Sequence, residues 1–387
     1  MKKLFNVFLS ACIAASGAAL SGFTYEAGCA AGSLTKGCKS AYLMDYNSGE
    51  CLYKENETAR MPIASVCKVM TLTLVFDAVS AGKFTLDDTV TVSSKAMGMG
   101  GSQIFLDSKC QYTVNQLIKS VVVCSANDSC VALSEKVAGG EDEFVALMNG
   151  KAKELGCTDT LFANCTGLPR DTQYSCARDV ALMFANLIKN EEYYNYSKIW
   201  LEEFEHPDNR KTSMTNTNKL IRKYSFCDGG KTGFTNEAGF CLAATAKKNN
   251  LRLVSVVLGA GSSDDRFNST VQMFEYGFAN YQNKIVLDKD VTLNDEFSVR
   301  GGKRDTFQVK PERNSYVFSA AGKAPEITHK VVDFNVKAPV AVNQVVGEIE
   351  VYKDGILCDT VNVVAAESVD KAGYGDYLKQ NASQWAI

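Results

Sequence analysis

Ser65 and Lys68 have the types and spacing for nucleophilic chemistry without histidine. They stand three residues apart in PIASVCKVMT, Pro62–Thr71, at the head of an apolar run. A serine hydroxyl is a poor nucleophile at neutral pH and needs a base. Lysine can be that base when burial or a neighbouring positive charge makes its ammonium acidic. At i and i+3 the two side chains share one helix face. Ser65 at the helix N-terminus would also have backbone N–H groups nearby to stabilise an oxyanion. A Ser-His-Asp triad has little support, because His206 and His329 are the only histidines.

S-x-x-K alone says little, since it starts at Ser33, Ser65, Ser80 and Ser368. Only the Ser65 copy opens a long apolar helix. Two further patterns occur once each: Ser125-Ala126-Asn127, and Lys231-Thr232-Gly233 followed by Phe234 and Thr235. Each has a plain structural use, as helix caps or turn residues. Their order, on a helix, an interhelix loop and an edge strand, is hard to reach by accident.

The elements that must position these residues are legible in the patterning. SAYLMDYNSGECLYK, 40–54, reads as two strands about an Asn-Ser-Gly-Glu turn. A helix is predicted from Ser65 to about Lys83, a second opens at Thr113 as N-cap, and a third follows the break at Ser125 to Asn127. EDEFVALMNGKAKELG ends at Gly156, and Ser175 is the predicted cap of SCARDVALMFANLIKN. From Gly229 a three-strand antiparallel meander is followed by a helix over Asp264–Tyr281. Strands at both ends with helices between imply one α+β domain, 37–283. Short alternating strands and an Asp354-Gly355 hairpin turn then predict an all-β domain, 284–365, in a chain long enough for two domains. The tail, 366–387, reads as a disordered end, with a weak amphipathic anchor as the alternative.

Composition narrows the function further. A formal charge of −3 with no basic patch argues against nucleic acid. Lys2 and Lys3, the apolar run Leu4–Ala15 and the small residues after it predict an export signal of about 23 residues. Fourteen cysteines include no C-x-x-C, and Cys67, Cys124, Cys130 and Cys241 sit in apolar runs. They read as small buried hydrophobes with free thiols. The histidines lack metal-ligand spacing, so neither metal nor cofactor is implied.

The motif set resembles that of the penicillin-recognising serine enzymes. More narrowly, the chain from about Gly37 to Ala365 is similar to the D-alanyl-D-alanine carboxypeptidases among the low-molecular-mass penicillin-binding proteins. DGGKTGFTNEAGFCLAATA and NCTGLPRDTQYSCARDVALM carry the resemblance beyond the three motifs. It implies a β-lactamase/transpeptidase-like catalytic domain, with a five-stranded antiparallel sheet between helical layers, and a C-terminal β-sandwich. It implies Ser65 as the nucleophile acylated by the penultimate D-alanine or by penicillin, and Lys68 as its base. Ser125 would relay a proton, and Asn127 would hold the substrate amide and orient Lys68. Lys231 would supply positive potential and lower the Lys68 pKa. Thr232, with Thr235 nearby, would bind the terminal carboxylate, while the N–H groups of Ser65 and Phe234 would form the oxyanion hole. Gly233 completes the substrate-binding strand.

The implied partners are peptidoglycan stem peptides ending in D-Ala-D-Ala, with β-lactams as inhibitors. The implied place is the extracytoplasmic envelope, with peripheral membrane contact through the tail left open. Two other readings stay open: a β-lactamase of the same fold and a non-catalytic peptidoglycan-binding protein. The first lacks a glutamate between Ala163 and Val180, where only Asp171 and Asp179 offer carboxylates. Three departures from the family pattern stand out: Cys67 and Cys124 beside catalytic groups, and Phe234 after K-T-G.

Overall fold

The computed structural model describes residues 33–376. The expected export signal and the tail beyond Asp376 lie outside them.

β1, Ser40–Asp45, and β2, Cys51–Glu55, form the first hairpin. Every residue of β1 is buried, since the strand lies inside a sheet covered on both faces. The helical layer follows: α1 Lys68–Ser80, α2 Val114–Val123, α3 Asn127–Ala138, α4 Glu141–Glu154 and α5 Ala177–Leu187. The chain then returns through β3 Cys227–Thr235, β4 Gly239–Lys248 and β5 Leu251–Ala260, and α6, Ser263–Asn280, covers them. The sheet order is β2-β1-β5-β4-β3, all antiparallel. K-T-G therefore lies on an edge strand, whose outer side has no strand partner.

Strand alternation divides the core in two. Tyr42, Met44, Val254, Val256 and Leu258 face the helical layer, with Val69, Met70, Val180 and Phe184 packed in the same cluster. Ala41, Leu43, Leu242, Leu253 and Val257 face Phe267, Met273 and Phe274 of α6. The helix that follows Ser65 is thus anchored from below by buried apolar side chains.

Local signals behave unevenly. Thr113 caps α2 in a full capping box with Gln116, and Gly156, at φ +74°, ends α4. Ser175 does not cap α5. Its Oγ meets Thr160 Oγ1 at 2.8 Å, its backbone pairs with Met61, and Cys176 takes the cap position without a side-chain bond. The predicted helix from Ser65 is a 3₁₀ turn over Ala64–Cys67 that passes into α1 at Lys68 and ends at Ser80. Two short hairpins, Thr89–Thr91 with Gln111–Thr113 and Leu201–Glu205 with Lys211–Thr215, have too few residues to show a period.

The second domain starts at Tyr281, directly after α6 and three residues before the predicted 284. β6 Tyr281–Leu287 is followed by β7 Glu296–Ser298, β8 Thr306–Pro311, β9 Ser315–Ala320, β10 Ile327–Asp333, β11 Val345–Lys353 and β12 Ile356–Ala365. β6 pairs with β9, and the other five form a sheet ordered β7-β8-β12-β11-β10. Phe297, Phe307, Val309, Ile349, Val351, Val361 and Val363 fill the core. Asp354 and Gly355, at φ +50° and +79°, make the predicted tight turn. The chain does not leave the domain at 366: Val369 is buried and bridges Val340, and Lys371 bridges Gly302. Asn283 Nδ2 donates to buried Asp45 Oδ1 at 3.0 Å, tying β6 to the catalytic sheet.

Candidate active site

Ser65 sits on a turn pressed between two glycine backbones. Ala64 holds φ +47°, which costs a non-glycine residue strain, and its carbonyl occupies the space a Cβ on Gly167 would need, at 1.9 Å. From the other side, a Cβ on Gly233 would stand 2.7 Å from Ile63 O and 3.1 Å from Ser65 N. The glycine of K-T-G is therefore required for β3 to approach the Ser65 amide.

Lys68 is fully buried, and its Nζ lies 2.8 Å from Ser65 Oγ and 2.6 Å from the Thr166 carbonyl. The resemblance pointed to Asn127 as the residue orienting Lys68; the polar contact observed on its far side is Thr166. That carbonyl is aimed by Asn164. Its Oδ1 accepts from Thr166 N at 3.1 Å, Thr166 Oγ1 at 3.2 Å and Gly167 N at 2.7 Å, while Nδ2 donates to Leu168 O at 2.8 Å. Asn164, Thr166 and Gly167 lie in the NCTGLP stretch, to which sequence reasoning gave no role. An Asn followed by Thr-Gly is an Asx-turn signal that marks such a loop.

Ser125 holds φ +66° between α2 and α3 and meets Lys231 Nζ at 2.8 Å. Lys231 also donates to Thr232 O at 3.0 Å, and Thr232 Oγ1 to Thr217 Oγ1 at 2.7 Å. Thr217 carried no sequence signal. Asn127 Nδ2 donates to Gly100 O at 2.7 Å and its backbone N–H to Ser102 O at 2.7 Å. Its buried Oδ1 has no partner among the described residues, leaving an acceptor to offer a ligand amide. Phe234 is half exposed at the rim and packs against Phe240, with ring centroids 4.4 Å apart and planes tilted by 33°. Thr235 ends β3, its Oγ1 accepting from Ala238 N in the following turn at 3.1 Å.

Both buried lysines are pushed below the ordinary lysine value. Burial is the cause for Lys68, since an ammonium in the interior loses its hydration. Lys231 is lowered as well, first by burial and then by the charge of Lys68. The two ammonium groups disfavour each other's charge. Burial pushes the Cys67 thiol well up and that of half-buried Cys124 to about 11, so both are poor nucleophiles. All twelve described cysteines are free.

The loop carboxylates are engaged elsewhere or turned to solvent. Asp171 is exposed. Asp179 is buried and accepts from Asp159 N at 2.7 Å, Thr160 Oγ1 at 2.9 Å and Arg178 at 3.0 Å. Asp159, Cys176 and Asp179 cluster as metal ligands do, yet Arg60 and Arg178 already neutralise the carboxylates.

A serine in hydrogen-bond contact with a buried lysine, beside an edge strand that carries a second buried lysine, is the arrangement of a serine peptidase of the penicillin-recognising fold. The family model for D-alanyl-D-alanine carboxypeptidase, peptidase S11, matches residues 29–262, and that for the penicillin-binding protein 5 C-terminal domain matches 281–371. D-alanyl-D-alanine carboxypeptidase DacF of Bacillus subtilis is 34% identical over 367 residues, covering 94% of each chain. The crystal structure of penicillin-binding protein 5 from Haemophilus influenzae is 31% identical at a TM-score of 0.66, covering 87% of this chain and 98% of that one. Penicillin-binding protein D2 of Listeria monocytogenes, solved in an ampicillin-bound form, is 29% identical at a TM-score of 0.57, covering 62% and 98%. The chain belongs to the D-alanyl-D-alanine carboxypeptidase family of serine peptidases.

Proposed function

We propose that this enzyme removes the terminal D-alanine from peptidoglycan stem peptides through an ester on Ser65. The single observation that carries the reading is the 2.8 Å contact between Ser65 Oγ and a Lys68 amine that burial biases toward its neutral, basic form. A neutral amine keeps one N–H for the Thr166 carbonyl and turns its lone pair to the serine proton.

The roles follow from position. The stem peptide lies along the free edge of β3, as an added strand would. Thr232, with Thr217 behind it, takes the terminal carboxylate, and Lys231, whose ammonium that carboxylate favours, supplies positive potential. Gly233 leaves room for the approach and Thr235 continues the strand. Asn127 Oδ1 accepts the substrate amide. Ser65 Oγ attacks the carbonyl of the penultimate D-alanine, and the N–H groups of Ser65 and Phe234 hold the oxyanion. The proton taken by Lys68 passes through Ser125 to the departing amine as the C–N bond breaks. Water then attacks the ester, giving a shortened stem and free enzyme. β-Lactams acylate the same serine. Shortened stems cannot donate in cross-linking, so wall cross-linking falls.

Asp179 is occupied by Arg178 and the Asp159–Thr160 backbone, which leaves the β-lactamase reading without a carboxylate to activate a deacylating water. The intact serine–lysine pair disfavours a binding protein without catalysis. Residues 1–23 act as the export signal, and the enzyme works in the extracytoplasmic envelope. Among the described residues no helix is long and apolar enough to cross a membrane; membrane contact, where it occurs, is peripheral and made by the tail. The test is free D-alanine released from a peptide ending in D-Ala-D-Ala. Wild type releases it and Ser65→Ala does not; equal release from both overturns the assignment.

A further inference from the structure

A shallow cleft beside the nucleophile has no part in the chemistry described above. It lies between the loop Gly167–Arg170 and the turn after β3, with Ile63 and Ala64 of the nucleophile's turn at its floor. Its lining includes one cation and one anion, Arg170 and Glu237. Both are exposed, and neither charged head has an ion-pair or hydrogen-bond partner among the described residues. Elsewhere in the catalytic domain Arg60, Arg178, Arg210 and Arg252 all hold carboxylates. An arginine and a glutamate left unpaired on the walls of one cleft offer opposite charges to a single ligand.

The direction of the bound peptide says which part of it arrives there. This step rests on the reading that Thr232 takes the terminal carboxylate and Phe234 N–H the oxyanion. With the leaving D-alanine toward Thr232, the acyl side of the substrate runs on past Phe234 to Thr235 and the turn. Glu237 is three residues beyond Phe234, within about 10 Å along an extended strand. The stem residue before the acyl D-alanine lies about 3.8 Å back along the chain, and a four- or five-bond side chain adds roughly 6 Å. The tip of that side chain therefore reaches the Arg170–Glu237 cleft.

We propose that this cleft is the subsite for the third stem residue and selects a diamino-dicarboxylic acid, whose side chain ends in both an ammonium and a carboxylate. Glu237 takes the ammonium and Arg170 the carboxylate, for which its planar fork is suited. A lysine side chain satisfies Glu237 alone and brings its ammonium toward an uncompensated arginine. Both wall charges are solvated, so the discrimination is moderate, about five-fold.

The experiment compares two synthetic pentapeptide stems that differ only in the third residue, meso-diaminopimelate or L-lysine, by kcat/KM for D-alanine release. Wild type prefers the first about five-fold. Arg170→Gln brings the ratio to within about two-fold of unity by lowering the diaminopimelate value, and Glu237→Gln lowers kcat/KM for both peptides. Acylation by benzylpenicillin, which has no such side chain, reports whether each variant keeps an intact centre. A wild-type ratio near one, or a ratio that survives Arg170→Gln, overturns the subsite while leaving the carboxypeptidase standing. No release from either peptide by wild type overturns the carboxypeptidase reading and the subsite with it.

Discussion

Replacing Asn164 with alanine tests whether the base is built by the loop behind it. The side chain makes four hydrogen bonds to the backbone and side chain of Thr166, Gly167 and Leu168, and it is almost wholly buried. A buried neutral hydrogen bond contributes about 1 kcal/mol net, and a group left unpaired costs about 1–3 kcal/mol. The variant should therefore lose about 2–5 kcal/mol of a total that is typically about 5–15. The catalytic effect is separate. Once the loop relaxes, the Thr166 carbonyl moves off Lys68 Nζ, and a misplacement of about 1 Å at a reacting group costs on the order of 10²-fold. Water entering behind Lys68 also weakens the burial that depresses its pKa, so the acid limb of the rate profile moves to higher pH. The assay is the rate of Ser65 acylation by a fluorescent penicillin across pH, beside a thermal melt. A folded variant, destabilised but acylating within two-fold of wild type at every pH, refutes the argument.

Three further outcomes follow from the same geometry. Gly233→Ala places a methyl 2.7 Å from Ile63 O, so acylation falls about 10²-fold while circular dichroism stays that of wild type. The wild-type kcat/KM rises with pH as Lys68 loses its proton, because the neutral amine is the base; the midpoint lies below the ordinary lysine value, and a flat profile from pH 5 to 10 contradicts the role. Iodoacetamide at pH 7.5 labels exposed Cys358 first and leaves buried Cys67 untouched until denaturant is added, as peptide mass mapping will read out.

The fold was legible wherever elements were long and periodic. The meander after Gly229, the Asp354-Gly355 hairpin and the capping box at Thr113 needed only patterning and turn chemistry. Ser175 was misread because a serine before an apolar run also suits a strand bridge, and the bridge to Met61 used its backbone. Of the candidate site, the three motifs marked the groups that face one another. Thr166 and Thr217 stayed hidden because one acts through a carbonyl, which every residue has, and the other through a hydroxyl brought in by a short loop.

The base of this enzyme is held by main chain, and that changes how its relatives should be recognised. A chain could keep S-x-x-K, S-x-N and K-T-G intact and still be inert if Asn164 or Gly167 were lost. Such a chain would pass every motif scan and retain the fold. Sorting active carboxypeptidases from catalytically silent descendants therefore calls for a fourth signature, Asn-x-x-Gly, drawn from a loop that never touches the substrate's scissile bond.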